Sequence, residues 1–211
     1  MDQLTSIIEI YNRYASDYDA KFRDFDLYHD TFTALLCKLK SDSTLLELGC
    51  GPGNVIQYFL QQKPSLKITG IDLAENMLEI ARANCPDARY YCMNILEVDQ
   101  LSPTYDAVVA AFCLPYIAPE SLDKFFNNLN LKANPQGLIY LSCMEGESDR
   151  SGFEKTSFTG DSDLYIYYHQ RNVLEEKLVE NGFVIEHFYT KDYPESDGSF
   201  TTDLIYIGQK A

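Results

Sequence analysis

Glu47 and the glycines that follow it, Gly49, Gly51 and Gly53, are the residues whose types and spacing first suggest chemistry. They sit in Thr44-Leu45-Leu46-Glu47-Leu48-Gly49-Cys50-Gly51-Pro52-Gly53-Asn54, an apolar run broken by one acid that leads into glycines at alternate positions. Glycine is needed where the backbone takes a positive φ or comes close to a ligand, so this turn reads as a place where main chain meets a small molecule. A dinucleotide fingerprint requires G-x-G-x-x-G, but position 54 is Asn, and a carboxylate beside the turn repels a pyrophosphate. The same acid suits a ligand that carries positive charge. A nicotinamide oxidoreductase is disfavoured on both counts.

Other residues are candidates for the acceptor side of a reaction. His169, after Tyr165-Ile166-Tyr167-Tyr168, joins a polar segment to a helix start and is the best-placed general base. Tyr116, Tyr165, Tyr167 and Tyr168 offer flat apolar faces with hydroxyl tips, suited to a small polar organic molecule. The chain has 16 tyrosines, which lowers the weight of any one. Its six cysteines form no Cys-x-x-Cys pair and mostly sit in apolar surroundings, so they read as buried reduced thiols, with no metal site expected.

The elements that must position these residues follow from periodicity. Residues 5–26 carry Ile7, Ile8, Tyr11, Tyr14, Ala15 and Tyr18 at helical spacing, and Phe32, Leu35, Leu36 and Leu39 mark a second helix; together, residues 1–40 read as a helical cap. From residue 44 a strand–helix alternation begins. Strands are expected at 44–48, 66–72, 88–93, 105–111 and 138–143. Helices are expected from Asn54 to Pro64, from Ala74 to Ala83 and from Pro119 to about Leu131, with a loop over 94–103 and a turn at Asn134-Pro135-Gln136-Gly137. Residues 144–163 are polar and aperiodic, with Gly146, Gly152 and Gly160, and read as part of a lid-like insert near 144–169. A helix over 173–180 and strands at 183–189 and 200–207, around a turn at 194–199, close the pattern. This is an α/β fold, a doubly wound and mostly parallel seven-stranded sheet with an antiparallel edge, read as one domain over 1–211 with its core in 41–211. In such sheets ligands bind at the carboxyl ends of the strands, where Gly49, Asp72, Asn94 and Phe112 lie.

Bulk properties narrow the partners. The chain has 211 residues, 45% hydrophobic and 23% charged, with a net charge of −15 and no local basic patch. A nucleic acid or an anionic membrane surface is therefore not expected as a partner. No basic leader precedes an apolar run near Met1, and no window approaches the length needed to span a bilayer, so a cytoplasmic protein is expected.

With these residues in view, the sequence resembles the class I S-adenosylmethionine-dependent methyltransferases of the small-molecule type. The similar motifs are Leu45 to Gly53, then Gly70-Ile71-Asp72-Leu73-Ala74-Glu75-Asn76-Met77-Leu78, then Tyr105-Asp106-Ala107-Val108-Val109, with Tyr11 to Asp19 resembling the family's entry helix. The resemblance implies a Rossmann-like fold and S-adenosyl-L-methionine as cofactor, with Glu47, Gly49, Cys50, Gly51 and Gly53 under its methionine part. It further implies Asp72 on the ribose hydroxyls, Leu73 and Ile95 on the adenine, and Met77 and Phe112 in the cofactor set, with Tyr18 closing over it. Asn94 stands where the family often has Asp, and its amide oxygen is expected to accept from the adenine amino group. The implied activity is in-line methyl transfer to a small acceptor; the alternative is a non-catalytic sensor or scaffold that binds the same cofactor.

Overall fold

The computed structural model describes residues 3–155, 158, 162–195 and 198–211; Gly160 and part of the expected 194–199 turn lie outside them. Three helices come first, α1 (Gln3–Arg13), α2 (Ala15–Phe22) and α3 (His29–Lys38). The alternating unit follows as β1 (Thr44–Leu48), α4 (Asn54–Gln62), β2 (Lys67–Asp72), α5 (Glu75–Asn84), β3 (Arg89–Cys92), β4 (Tyr105–Ala110), α6 (Leu122–Lys132) and β5 (Ala133–Met144). A hairpin of β6 (Gly152–Lys155) and β7 (Asp163–Ile166) comes next, and α7 (Arg171–Glu180), β8 (Phe183–Pro194) and β9 (Phe200–Lys210) complete the order.

The main sheet has seven strands in the order β3-β2-β1-β4-β5-β9-β8. The first five are parallel to their neighbours, and β9 joins β5 and β8 antiparallel. Alternation divides each central strand between two cores. In β1 and β4, Leu46, Leu48, Val108 and Ala110 face a core closed by Phe125, Phe126 and Leu129 of α6 and by Leu174 and Leu178 of α7. Leu45, Ala107 and Val109 face the opposite core, closed by Phe32, Leu35 and Leu36 of α3 and Ile56 and Phe59 of α4. Both faces are covered, which is why these strands read as continuous apolar runs.

The strand order reverses beside β1. Chains that cross to opposite faces there leave a crevice at the carboxyl edge, and the glycine turn opens into it. Among the described residues no helix is long and apolar enough to cross a membrane.

Several expectations need correction. The helix expected over 5–26 is two helices that break at Tyr14, because Asn12 is engaged by α5: its Oδ1 accepts from Asn76 N at 2.9 Å and its carbonyl from Asn76 Nδ2 at 2.9 Å. The turn at 134–137 is a bulge inside β5, where Gln136 has φ +62° and the register slips between Tyr105 and Ala107 of β4. The 94–103 loop holds a 3-10 helix, Ile95–Gln100. The aperiodic 144–163 stretch carries the end of β5 and the β6–β7 hairpin, in which Leu164 and Ile166 pack with Ile7 of α1. Cys37 and Cys92 are exposed; the other four cysteines are buried.

Candidate functional site

The glycine turn is built for close approach. Gly49, Gly51 and Gly53 all have positive φ, at +68°, +52° and +85°. A Cβ on Gly49 would lie 2.9 Å from Cys113 Cβ, whereas one on Gly51 would meet nothing within 4 Å. Gly49 is therefore required by packing, and Gly51 keeps space open above the turn. Cys50 is turned inward: it is buried, its N donates to Ile71 O at 2.9 Å, and its Sγ lies against the bare Cα of Gly70.

Two carboxylates meet beneath this space. Glu47, at 2% exposure, is buried at the end of β1, and its Oε2 has no hydrogen-bond partner. Burial, with Asp72 nearby, holds its carboxyl well above the usual range. Asp72 ends β2 and ties two loops together, its Oδ2 accepting from Gly51 N at 2.9 Å and its Oδ1 from Ala74 N at 2.8 Å. Burial raises its pKa although these backbone donors pull the other way. The two N–H bonds use two of the roughly four acceptor positions of a carboxylate.

The remaining residues expected at the cofactor divide. Tyr18 and Phe112 line a cavity of about 250 Å³ that opens beside the glycine turn. Phe112 holds φ +60°, with its N donating to Ser142 Oγ at 2.9 Å, so its ring is set by strained backbone. Leu73, directly after β2, and Ile95, at the start of the 3-10 helix that follows β3, are half-buried. Asn94 spends its Oδ1 on Leu96 N at 2.9 Å, capping the 3-10 helix that follows β3. Met77 is fully buried with Ala15 and Ala74, packed against Tyr11 and Tyr18, so it supports the entry helices.

On the acceptor side the corrections are larger. Of the four tyrosines only Tyr116 lines the cavity. In β7 the side chains alternate, so Leu164 and Ile166 point into it and Tyr165 is left on the other side against Phe153. Tyr167 donates to Gln3 Oε1 at 2.8 Å, and Tyr168, 1% exposed, donates to Glu154 Oε1 at 2.8 Å. His169 does not reach the cavity either. It is buried, its Nε2 lies 3.2 Å from Leu114 O, and burial pulls its pKa down. The ring pins the 3-10 turn after β4, which is a structural task.

What sequence reasoning missed is the other half of the cavity wall. Tyr11, Tyr28, Asn54, Tyr193 and Asp203 all line it. Tyr11 Oη is hydrogen-bonded to Tyr116 Oη, and the Tyr11 ring stands edge-on to Tyr18 at 5.7 Å. Burial pushes the hydroxyls of Tyr11 and Tyr18 up, with Asp72 adding to each, and burial pushes Tyr116 up to about 12, so all three remain protonated. Tyr28 donates to Asp203 Oδ2 at 2.6 Å. Burial, with Glu195 and Asp192 beside it, pushes Asp203 up to about 7 despite that bond. The one signal for Asp203 in the sequence was an acid directly before the apolar run 204–207.

A family profile described as "Methyltransferase domain" matches residues 45–137, the stretch from β1 into β5. Malonyl-(acyl-carrier protein) O-methyltransferase of Bacillus anthracis is 29% identical over 157 residues, covering 72% of this chain and 51% of that protein. The tRNA N(3)-methylcytidine methyltransferase of Schizosaccharomyces pombe is 25% identical over 177 residues, covering 72% of this chain and 58% of that one. The chain spans about half the length of the curated relatives it matches. Among solved structures, the 1,6-didemethyltoxoflavin-N1-methyltransferase of Burkholderia thailandensis, with bound S-adenosylhomocysteine, superposes over 99% of this chain and 88% of its own at a TM-score of 0.72 and 17% identity. Sheet order, glycine turn and the domain match on 45–137 agree in one direction: over that stretch the chain is similar to the class I S-adenosylmethionine-dependent methyltransferases.

Proposed function

We propose that this chain is a methyltransferase that uses S-adenosylmethionine as donor and a small organic molecule as acceptor. The observation that carries the reading is Glu47 Oε2, buried without a donor next to a second carboxylate. A buried, unpaired carboxylate is costly until a cation or donor meets it, and the ammonium of the cofactor's methionine part supplies both. The rest of the turn fits the same group. Gly51 leaves open space, and Asp72 retains acceptor positions for two ribose hydroxyls, with Leu73 and Ile95 to flank the adenine.

When bound, the sulfonium provides a methyl carbon activated for in-line displacement. The chain's own task is to align the acceptor and keep water out, an effect worth about 7 to 11 kcal/mol in well-oriented systems. Tyr11, Tyr18 and Tyr116 close the crevice from above, and Phe112 shapes the wall where β4 ends. In this reading residues 1–40 act as a cap and the insert near 144–169 as a side wall over a core in 41–211. A cavity of about 250 Å³ supports a small acceptor, and the net charge of −15 opposes a polyanion such as tRNA. A bare sensor of the cofactor would have no use for a cavity that extends past the turn to Tyr193 and Asp203.

Titration calorimetry with S-adenosylmethionine, S-adenosylhomocysteine and NAD tests the reading. Both adenosyl compounds are expected to bind and NAD is not. A preference for NAD, or no binding by either adenosyl compound, overturns it.

A further inference from the structure

One wall of the cavity carries a carboxylate for which donor binding has no use. Asp203 lies in β9 opposite Met144, at the same sheet edge as Glu47 but three strands away in the order β1-β4-β5-β9. It is 2% exposed and accepts from Tyr28 Oη at 2.6 Å. The charges that act on it most, Glu195 and Asp192, have its own sign. Lys191, beside it across the β8–β9 pair, is engaged by Asp30 at 2.6 Å. The two cations that line the cavity, Arg23 and Lys155, are exposed, and Arg23 is paired with Asp19. Asp203 thus has a hydroxyl donor but no counter-ion among these neighbours, an arrangement that a bound cation completes.

The surfaces around it make the same demand. Tyr28, Phe25, Tyr193 and Phe112 form a connected aromatic wall, with ring centroids 5.8 Å (Phe25–Tyr28), 5.6 Å (Phe25–Tyr193) and 4.5 Å (Tyr28–Phe112) apart. Aromatic faces attract cations through the negative pole of the ring quadrupole. Asn54 lines the same cavity, and its buried Oδ1 has no donor among the described residues. Carboxylate, amide oxygen and ring faces all accept. An anionic acceptor would leave each of them unmet, and a neutral alcohol would satisfy one at a time.

Resting on the methyltransferase reading, we infer that the methyl acceptor is a small amine, whose nitrogen enters as ammonium, is held by Asp203 against the Tyr28, Tyr193 and Phe112 rings, and gives its proton to that carboxylate. In that step the N–H bond breaks, an O–H bond forms on Asp203, and the electron pair stays on nitrogen as the nucleophile. The elevated pKa of Asp203, about 7, matches a base that works near neutral pH. Tyr28 is the positioning residue, since its hydroxyl fixes the carboxylate through Oδ2.

The test is calorimetry on the whole protein saturated with S-adenosylhomocysteine, using benzylamine, phenethylamine and tyramine as probes, with 2-phenylethanol and phenylacetate as neutral and anionic counterparts. At least one amine is expected to bind about tenfold or more tighter than the alcohol and the acid, and Asp203→Asn is expected to remove that preference. Retained S-adenosylhomocysteine affinity in the variant certifies its fold, and the amine-to-alcohol ratio in the parent protein needs no variant at all. Equal or tighter binding of the alcohol or acid, absence of binding by all three amines, or an Asp203→Asn variant that keeps the preference overturns the inference. Failure of S-adenosylhomocysteine itself to bind overturns the donor reading instead, so the two are separable.

Discussion

Glu47 and Asp203 are buried acids and Asp72 a half-buried one, and substitution should separate the duties proposed for the three. Asp72→Ala removes the proposed ribose acceptor and also frees Gly51 N and Ala74 N, so S-adenosylhomocysteine binding should weaken by about 1.5 to 3 kcal/mol, read by calorimetry. Glu47→Gln should weaken cofactor binding over the same range of about 1.5 to 3 kcal/mol, yet the ligand-free variant should melt higher than the parent near pH 8, because the cost of charging or protonating that buried carboxyl on folding is gone. For Asp203 the linkage has a definite sign. Its folded pKa of about 7 lies above the unfolded value of about 3.9, so the contribution to stability is full below about pH 4 and lost as pH rises through about 7. Tyr28 donates to it, while Glu195, Asp192, Tyr140 and Cys143 are the other titratable groups in its field. Melting curves of Asp203→Asn should lie above the parent at pH 8 by the equivalent of a few kcal/mol, on the order of the shift, and converge near pH 4. Glu47 and Asp72 were legible in the sequence because an acid inside or ending an apolar run stands out. Asp203 lies in the polar first half of the expected 200–207 strand, beside Thr201 and Thr202, so little in the pattern set it apart.

At the scale of elements, the glycine turn makes a prediction that separates packing from binding. Gly51→Ala should cost about 1 to 2 kcal/mol in folding for the left-handed backbone and then reduce cofactor affinity, since its methyl enters the open space above the turn. Gly49→Ala meets Cys113 as well and should lose an additional 1 to 3 kcal/mol, roughly, of stability. Thermal denaturation and calorimetry on the two variants check the order. The strand–helix alternation could be read directly because each apolar run was bounded by glycine, proline or acid. Less was legible where tertiary contacts overrode the local pattern: Asn76 breaks the entry helix at Tyr14, and a hairpin forms in a segment whose apolar residues are too few to show a period. That hairpin also explains the tyrosines. Reading Tyr165, Tyr167 and Tyr168 as one surface ignored the period of two, which sends Leu164 and Ile166 inward instead.

For the molecule as a whole, the excess of 32 acidic over 17 basic residues sets a field that discourages polyanions. A gel-shift titration with mixed tRNA should give no complex at about 0.15 M salt, although one relative is named as a tRNA methyltransferase. Fold class and strand number were readable because the central strands are apolar on both sheet faces; the proposed acceptor chamber was not, because its walls come from segments far apart in the chain. The matched stretch supplies Asn54, Val55, Tyr58, Phe112, Pro115 and Tyr116, while the N-terminal helices and their connection, Met144 at the end of β5, the β6–β7 hairpin region and the last two strands supply the rest. In the proposed reading, then, donor recognition falls mainly on residues 45–137 and acceptor recognition mainly on the flanking segments, with Phe112 at the end of β4 where the two meet. Such a division makes the chain suited to grafting: a chimera that keeps residues 45–137 and exchanges the flanking segments would inherit its methyl source from one parent and its choice of recipient from the other.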